Sequence, residues 1–169
     1  YAFAVQVVGD TTPEPDESFT VAVSNVTGAT AAAAGNGVIK NDDTITLTVG
    51  DAGVQEGNSG TAALVFPIRL SHPAPEGGVT FSVATSNGSA TAGPDYAART
   101  LTGQVIPAGA EVFSFSVDVT GDTVLEPDET LTVKVSAVTG ATVGRGEAVG
   151  VIHNDDAATV GGKNLTITT

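Results

Sequence analysis

Four short acidic segments contain most of the side chains that could do chemistry in this chain. Residues 9–17 read Gly-Asp-Thr-Thr-Pro-Glu-Pro-Asp-Glu and residues 121–129 read Gly-Asp-Thr-Val-Leu-Glu-Pro-Asp-Glu, so each contains four carboxylates. An Asn-Asp-Asp motif follows each of them, at residues 41–43 and 154–156. Carboxylates at short range repel one another, and a cation among them offsets that cost. The segments therefore indicate a cation site, and the alternative interpretation is an acidic rim without a bound ion.

The acidic segments belong to an internal repeat. Residues 9–17 align with 121–129 at an offset of 112, and residues 38–43 align with 151–156 at an offset of 113. A repeat of this length is the size of one small β-sandwich. We therefore expect a C-terminal part of a first module at residues 1–43, a complete module at 44–156 and a tail at 157–169. The tail is interpreted either as the first strand of a next domain or as a strand donated to a partner.

Alternation of apolar and polar residues predicts an all-β chain. Turn signals rich in Gly, Pro and Asn separate the alternating runs, which is typical of an antiparallel sandwich. Residues 1–7 align with residues 113–119, so the chain is expected to begin inside a strand. The strands expected in the complete module are residues 44–49, 61–70, 79–85, 100–106, 112–120, 130–136 and 146–152.

Loops from distant parts of a sandwich gather at its ends, where several acidic residues could meet. Ca²⁺ takes about six to eight oxygen ligands, mostly carboxylates and carbonyls. Six carboxylates exceed what one ion needs, so two or more Ca²⁺ ions are expected. The candidate ligands of the complete module are Glu56, Asp95, Asp122, Glu126, Asp155 and Asp156, and those of the first module are Asp10, Glu14, Asp42 and Asp43.

Three neighbouring residues have two interpretations each. Glu129 is either a further ligand or a solvated residue at the start of a strand. Asn41 and Asn154 either offer an amide oxygen to the ion or cap a turn, and the turn is the simpler interpretation.

The composition excludes several classes of function. The formal net charge of −13 argues against nucleic-acid binding and against anionic membrane surfaces. The chain has no Cys, hence no disulfide or thiolate metal site, and no apolar run approaches membrane-spanning length. It also has no Met, and we expect it to be part of a longer protein. Neither His72 nor His153 has a triad arrangement, and no Trp is present to line a sugar cleft, so we expect no enzyme.

Five motifs, taken together, resemble the Calx-β domain in order and spacing. They lie at residues 56–60, 89–96, 106–109, 121–129 and 151–156. The resemblance implies a seven-stranded, immunoglobulin-like sandwich that binds Ca²⁺ at its end loops through the six ligands of the complete module. The chain departs from the sodium–calcium exchanger domains of this family in two ways. Those domains carry three Asp where this chain has Asn-Asp-Asp, and they have further Asp where this chain has Gly-Asp-Thr. Both changes remove charge, so fewer ions or weaker binding are expected.

The resemblance also implies a class of function. Calx-β modules occur in tandem in large bacterial surface and secreted proteins, so we expect a Ca²⁺-binding structural or adhesive repeat at the cell surface or outside the cell. Ca²⁺ would stiffen its module junctions. The expected partners are neighbouring modules of the same chain, identical chains, or a surface or matrix ligand, without nucleic acid or direct membrane insertion. The alternatives are a strand-donating subunit of an extracellular filament and a Ca²⁺-sensing regulatory domain of a membrane transporter.

Overall fold

The structure is a computed structural model that describes residues 3–28, 34–157, 159–160 and 163–164. It divides into two compact units, unit 1 (Tyr1–Thr44) and unit 2 (Ile45–Thr169). Strands are the only regular elements in the described ranges, which confirms the prediction of an all-β chain. Within those ranges no helix has the length and apolarity that a membrane crossing requires.

The described ranges contain thirteen strands. In chain order they are β1 (Glu17–Val21), β2 (Gly35–Ile39), β3 (Thr46–Val49), β4 (Ala52–Gln55), β5 (Thr61–Leu70), β6 (Val79–Asn87), β7 (Thr100–Ile106), β8 (Val112–Thr120), β9 (Glu129–Thr139), β10 (Thr142–Arg145), β11 (Glu147–His153), β12 (Thr159–Val160) and β13 (Lys163–Asn164). The short strands β12 and β13 pair with each other.

Two sheets form the body of unit 2. One has the order β10-β3-β5-β8, and the other has the order β4-β11-β9-β6-β7. Strand neighbours are antiparallel except at two edges, where β10 runs parallel to β3 and β4 runs parallel to β11. The inward side chains of both sheets form one buried cluster, and Phe81 of β6 meets Phe113 of β8 edge to face at 5.2 Å between ring centroids. Two sheets sharing one core are consistent with a β-sandwich.

Period-two alternation buries one face of each long strand. In β5, Leu64, Phe66 and Ile68 are buried while Val65 and Arg69 face solvent. Complete burial of one such apolar side chain contributes about 1.5–3 kcal/mol to the free energy of folding. The core thus fixes the register of the long strands, because a slip by one residue would expose the whole buried face.

Two segments of unit 2, β3–β4 and β10–β11, pass from one sheet to the other. Residues 46–55 leave one sheet after β3 and enter the other as β4, where a single strand at 44–49 was expected. Asp51 lies at this switch, and its Oδ1 accepts hydrogen bonds from Arg145 Nη2 at 2.5 Å and Val149 N at 2.8 Å. The Arg145 side chain, ahead of the Val149 N–H, lowers the pKa of Asp51. These contacts tie the switch to β10 and β11, which change sheets in the same way.

Unit 1 repeats one strand pair of unit 2. β1 pairs with β2 in the register Glu17↔Ile39, and β9 pairs with β11 in the register Glu129↔Ile152. The alignment offsets of 112 and 113 relate these two pairs position by position.

The strand expected at residues 1–7 is not formed where the structure describes this segment. Residues 3–10 belong to no strand, and Phe3 and Val8 are 77% and 91% exposed. The aligned strand in unit 2, β8, pairs with β5, and residues 1–43 contain no counterpart of β5. Because a strand needs a hydrogen-bonding neighbour, the segment stays unpaired within unit 1. Tyr1 and Ala2 lie outside the described residues.

Candidate metal centre

The loops after β4 and β11 meet at one end of the unit 2 sandwich. Because these strands are parallel neighbours, Glu56 and Asp155 leave the sheet at the same end. Gly57 N donates a hydrogen bond to Asp155 Oδ1 at 3.1 Å. Asn58 Nδ2 donates to Asp156 Oδ1 at 2.5 Å. The acidic motif at the end of β11 is therefore held against the loop that carries Glu56.

The loop between β8 and β9 joins the same end. Asn154 Nδ2 donates to Glu56 Oε1 at 2.9 Å and to the Val124 carbonyl oxygen at 3.0 Å. Asp122 Oδ1 accepts a hydrogen bond from Val124 N at 2.6 Å, which shapes the turn at the start of this loop. Three segments far apart in sequence thus converge, as the sandwich topology requires of loops at one end.

Three carboxylates at this end lie closest together. Asp95, Glu126 and Glu129 each place an oxygen within 4.8 Å of the other two, and all three side chains are half-buried. No other set of three acidic or His side chains in the described part of the chain meets this criterion. Glu129, which the sequence left open between ligand and solvated residue, therefore faces the cluster.

Asp95 is positioned by an anchored loop. Asp95 Oδ2 accepts a hydrogen bond from Thr91 N at 2.6 Å, and the Asp95 carbonyl oxygen accepts one from Thr120 N at 2.9 Å. The next residue, Tyr96, is buried in the core, and its hydroxyl donates to Asn87 Oδ1 at 2.6 Å. These contacts hold the Asp95 backbone against the end of β8 and the Asp95 carboxylate against its own loop.

Glu56 is the one buried charged side chain among the described residues, at 7% exposure. Burial raises the pKa of Glu56, because a charge is disfavoured away from water. The hydrogen bond from Asn154 opposes this shift. Three nearby carboxylates raise the pKa further, namely Asp122, Glu126 and Asp156.

The pKa of Glu129 is raised as well. Burial raises the pKa of Glu129, and the neighbouring carboxylates of Asp95, Glu126 and Glu56 raise it further. Both glutamates are therefore held in surroundings that disfavour their charge. A bound cation would reverse that preference, since an opposite charge stabilises the carboxylate form.

Asp156 carries an unsatisfied oxygen. Its Oδ2 atom is buried and accepts no hydrogen bond from the described residues. Buried polar atoms normally have a partner, so this one needs an explanation. Together with the crowded carboxylates it forms an all-oxygen donor set, which fits a hard divalent cation such as Ca²⁺.

The two Asn side chains take part in turns. Asn154 Oδ1 accepts a hydrogen bond from Asp156 N at 3.2 Å, and Asn41 Nδ2 donates to the Asp43 carbonyl oxygen at 3.1 Å. Each contact spans two residues, as expected for an Asn that caps a turn.

The four candidate ligands of unit 1 line one cleft of 540 Å³. Asp10 Oδ1 accepts a hydrogen bond from Thr12 N at 2.7 Å, which repeats the turn of Asp122 in unit 2. Counterparts of Glu56 and Asp95 are not among residues 1–43, so unit 1 offers a smaller set of carboxylates. The residues concerned are Asp10, Glu14, Asp42 and Asp43.

We expect the metal-free protein to become more stable as the pH falls from about 7 toward 4.5. In the folded state the pKa values of Glu56 and Glu129 are raised above 4.5, so the folded chain binds protons more readily than the unfolded chain. The pKa values of Asp51 and Asp128 are lowered, and their stabilising effect is lost only below about 3.8.

Thermal unfolding in the presence of chelator measures this dependence. The control is Glu56→Gln, which keeps an oxygen for Asn154 and removes one of the two responsible groups, so its unfolding midpoint should vary less with pH. A midpoint of the wild-type protein that stays constant or falls over this range would contradict the prediction.

The chain matches one protein-family model and several solved structures. The model of the Calx-beta domain family matches residues 2–52 and 39–160. The crystal structure of the apo-form Calx CBD1 domain is 24% identical, covers 68% of this chain and 100% of that chain, and has a TM-score of 0.56. The Calx CBD2 domain is 12% identical, with 65% and 86% covered and a TM-score of 0.57.

A longer solved structure matches as well. The structure described as the calcium binding domain CBD12 of CALX1.1 is 21% identical, with 66% of this chain covered and a TM-score of 0.57. The chain spans 45% of that structure, less than half its length. No curated protein matches the chain.

The family match covers the residues that meet at the end of unit 2, and the solved structures share the fold that brings them together. The matched ranges include the acidic loops of both units, and the structural matches share the sandwich that brings the loops of unit 2 together. The chain belongs to the Calx-beta domain family.

Proposed function

We propose that this chain is a non-catalytic, Ca²⁺-binding structural repeat of a cell-surface or secreted protein. The observation that carries the proposal is the approach of Asp95, Glu126 and Glu129 within 4.8 Å of one another. Ca²⁺ would supply the positive charge that offsets their repulsion. Glu56 and Asp156 would complete the donor set, since one is buried among acidic neighbours and the other has a free buried oxygen.

The acidic motif of unit 1 continues directly into unit 2, which favours a structural role. Asp42 and Asp43 line the cleft of unit 1, and Thr44 follows directly without a Gly- or Ser-rich linker. A cation bound by these carboxylates would order the last residues of unit 1. Ordering them would restrict the motion of the connection, because few free backbone torsions would remain between the two units. Ca²⁺ would therefore stiffen a string of such repeats.

A distance measurement between the units tests the stiffening. The chain has no Cys, so spin labels can be attached at Val23→Cys in unit 1 and Glu76→Cys in unit 2, both exposed positions. We expect Ca²⁺ to narrow the distribution of label distances and a chelator to broaden it. As a control, labels at Val65→Cys and Glu76→Cys within unit 2 should report the same distribution in both conditions. Identical distributions between the units with and without Ca²⁺ would rule out stiffening.

A second candidate is a subunit of an extracellular filament that assembles by strand exchange. The favouring observation is the exposed apolar segment of unit 1, in which Phe3, Val5 and Val7 have no strand neighbour in the described part of the unit. An added strand could pair with this segment. Light scattering of the labelled samples distinguishes the candidates, because strand exchange raises the molar mass with protein concentration and a monomeric repeat keeps one mass.

A further inference from the structure

One acidic residue of the β8–β9 loop is not part of the cluster of Asp95, Glu126 and Glu129. Asp128 Oδ2 is bonded to His153 Nδ1 at 2.7 Å, and Asp128 Oδ1 accepts a hydrogen bond from Asn154 N at 3.2 Å. The pKa of Asp128 is lowered, first by the His153 side chain and then by the Asn154 N–H. Both oxygens of this carboxylate are thus engaged with the corner where β11 ends.

Unit 1 has the same arrangement at the aligned positions. Asp16 Oδ2 accepts a hydrogen bond from Lys40 Nζ, and Asp16 Oδ1 accepts one from Asn41 N at 3.1 Å. Asp16 corresponds to Asp128 at the offset of 112, and Lys40 and Asn41 correspond to His153 and Asn154 at the offset of 113. The contact is therefore present twice, although the basic partner is Lys in one unit and His in the other.

We infer that Asp128 is a positioning residue, which clamps the end of β11 so that Asp155 and Asp156 face the metal centre, and that it is not itself a ligand. Asp16 clamps the end of β2 in the same way ahead of Asp42 and Asp43. The basic partner differs between the units, but its contact with the Asp carboxylate is the same. This is expected if the carboxylate serves to position the chain. The effect on metal binding rests on the proposed Ca²⁺ site, whereas the clamp itself does not.

The clamp acts on more than one element. The Asn154 amide hydrogen is fixed by Asp128, and the Asn154 side chain bonds Glu56 Oε1 and the Val124 carbonyl oxygen. Without the Asp128 carboxylate, Asn154, the residue that joins three loops, would lose the hydrogen bond that fixes its backbone. Residues that orient metal ligands without touching the metal typically change the affinity about 10- to 100-fold when removed.

Two substitutions of Asp128 separate a positioning role from direct ligation. Asp128→Asn keeps an oxygen for Asn154 N, and its amide can donate to the neutral His153 ring, so the clamp remains while the charge is lost. Asp128→Ala removes the clamp. In calorimetric Ca²⁺ titrations of the full chain at physiological salt, we expect affinity to fall at least about tenfold for Asp128→Ala and to stay within about threefold for Asp128→Asn. Equal losses for both variants, or no loss for Asp128→Ala, would overturn the inference.

Amide hydrogen exchange tests the clamp without metal. In chelator, the Asn154 N–H should exchange faster in Asp128→Ala than in wild type, and the Asn41 N–H should do so in Asp16→Ala. His153→Lys, which installs the pair found in unit 1, should keep Asn154 protected. Unchanged exchange in the Ala variants would overturn the clamp, and it would do so whether or not the wild-type protein binds Ca²⁺. A wild-type protein that binds no Ca²⁺ but shows these exchange effects would overturn the proposed function alone.

Discussion

Ca²⁺ added to chelator-treated protein is expected to raise the unfolding midpoint of unit 2 by about 10 °C. A ligand that binds only the folded state at 100 times its dissociation constant stabilises it by about 2.7 kcal/mol, which corresponds to about 10 °C for a domain of this size. The physical source is the neutralisation of Asp95, Glu126 and Glu129, whose oxygens lie within 4.8 Å of one another. Differential scanning calorimetry with and without Ca²⁺ measures the shift.

Variants of the cluster should raise the unfolding midpoint of the metal-free protein and reduce the shift that Ca²⁺ causes. Glu129→Gln removes a carboxylate whose charge is disfavoured in the metal-free fold, so the metal-free midpoint should rise while the Ca²⁺-dependent shift largely disappears. Glu126→Gln should behave in the same way, since Glu126 contributes to the repulsion at both Glu56 and Glu129. Glu76→Gln, at an exposed position outside the cluster, is the matched control and should keep the full shift. A wild-type midpoint that Ca²⁺ leaves unchanged would contradict the proposed site.

The sequence predicted the antiparallel strands better than β4 and β10, the two short strands that pair in parallel at sheet edges. β5, β7 and β8 have the predicted bounds, and in β5 and β8 alternating residues fill the core. β4 and β10 were not predicted, because β4 contains Gly53 and β10 is exposed along its whole length, so neither has a clear apolar period. These two are strands through their parallel pairing with β11 and β3, and pairing between distant segments is not visible in a local pattern.

The sequence also could not predict which of two adjacent acidic side chains joins the cluster. Asp128 and Glu129 are neighbours of the same charge, yet Asp128 is bonded to His153 while Glu129 faces the carboxylates of Asp95 and Glu126. Successive side chains of an extended chain point to opposite sides. Only one of the two can therefore face the carboxylates of Asp95 and Glu126. The pairing of Glu129 with Ile152 decides which one, and that register depends on the core. The ligand roles of the ten candidate residues stay predictions.

Gly121 brings two loops of the candidate metal centre into close approach. A Cβ atom at this position would lie 2.2 Å from the Gly57 carbonyl oxygen and 2.5 Å from the Glu56 carbonyl oxygen. Both atoms belong to the backbone, so no side-chain rotation can relieve the overlap. Gly9, the aligned residue of unit 1, meets no atom within 4 Å of such a Cβ. The requirement for Gly is therefore specific to the unit in which the loop of Glu56 is present.

Replacing Gly121 by Ala should lower the stability of unit 2 by about 3 kcal/mol, because the loops after β4 and β8 must move apart. The same movement separates Asp122 from Glu56, so Ca²⁺ affinity should fall as well. Gly144→Ala is the matched control within unit 2, since its Cβ would approach no atom closer than 3.3 Å, and its effect should stay within about 0.5 kcal/mol. Denaturant unfolding in chelator measures the stabilities, and calorimetric titration measures the affinity. Equal unfolding midpoints for the two variants would show that the loops can separate at no cost. The convergence of Glu56 with Asp122 would then not depend on the close approach at Gly121.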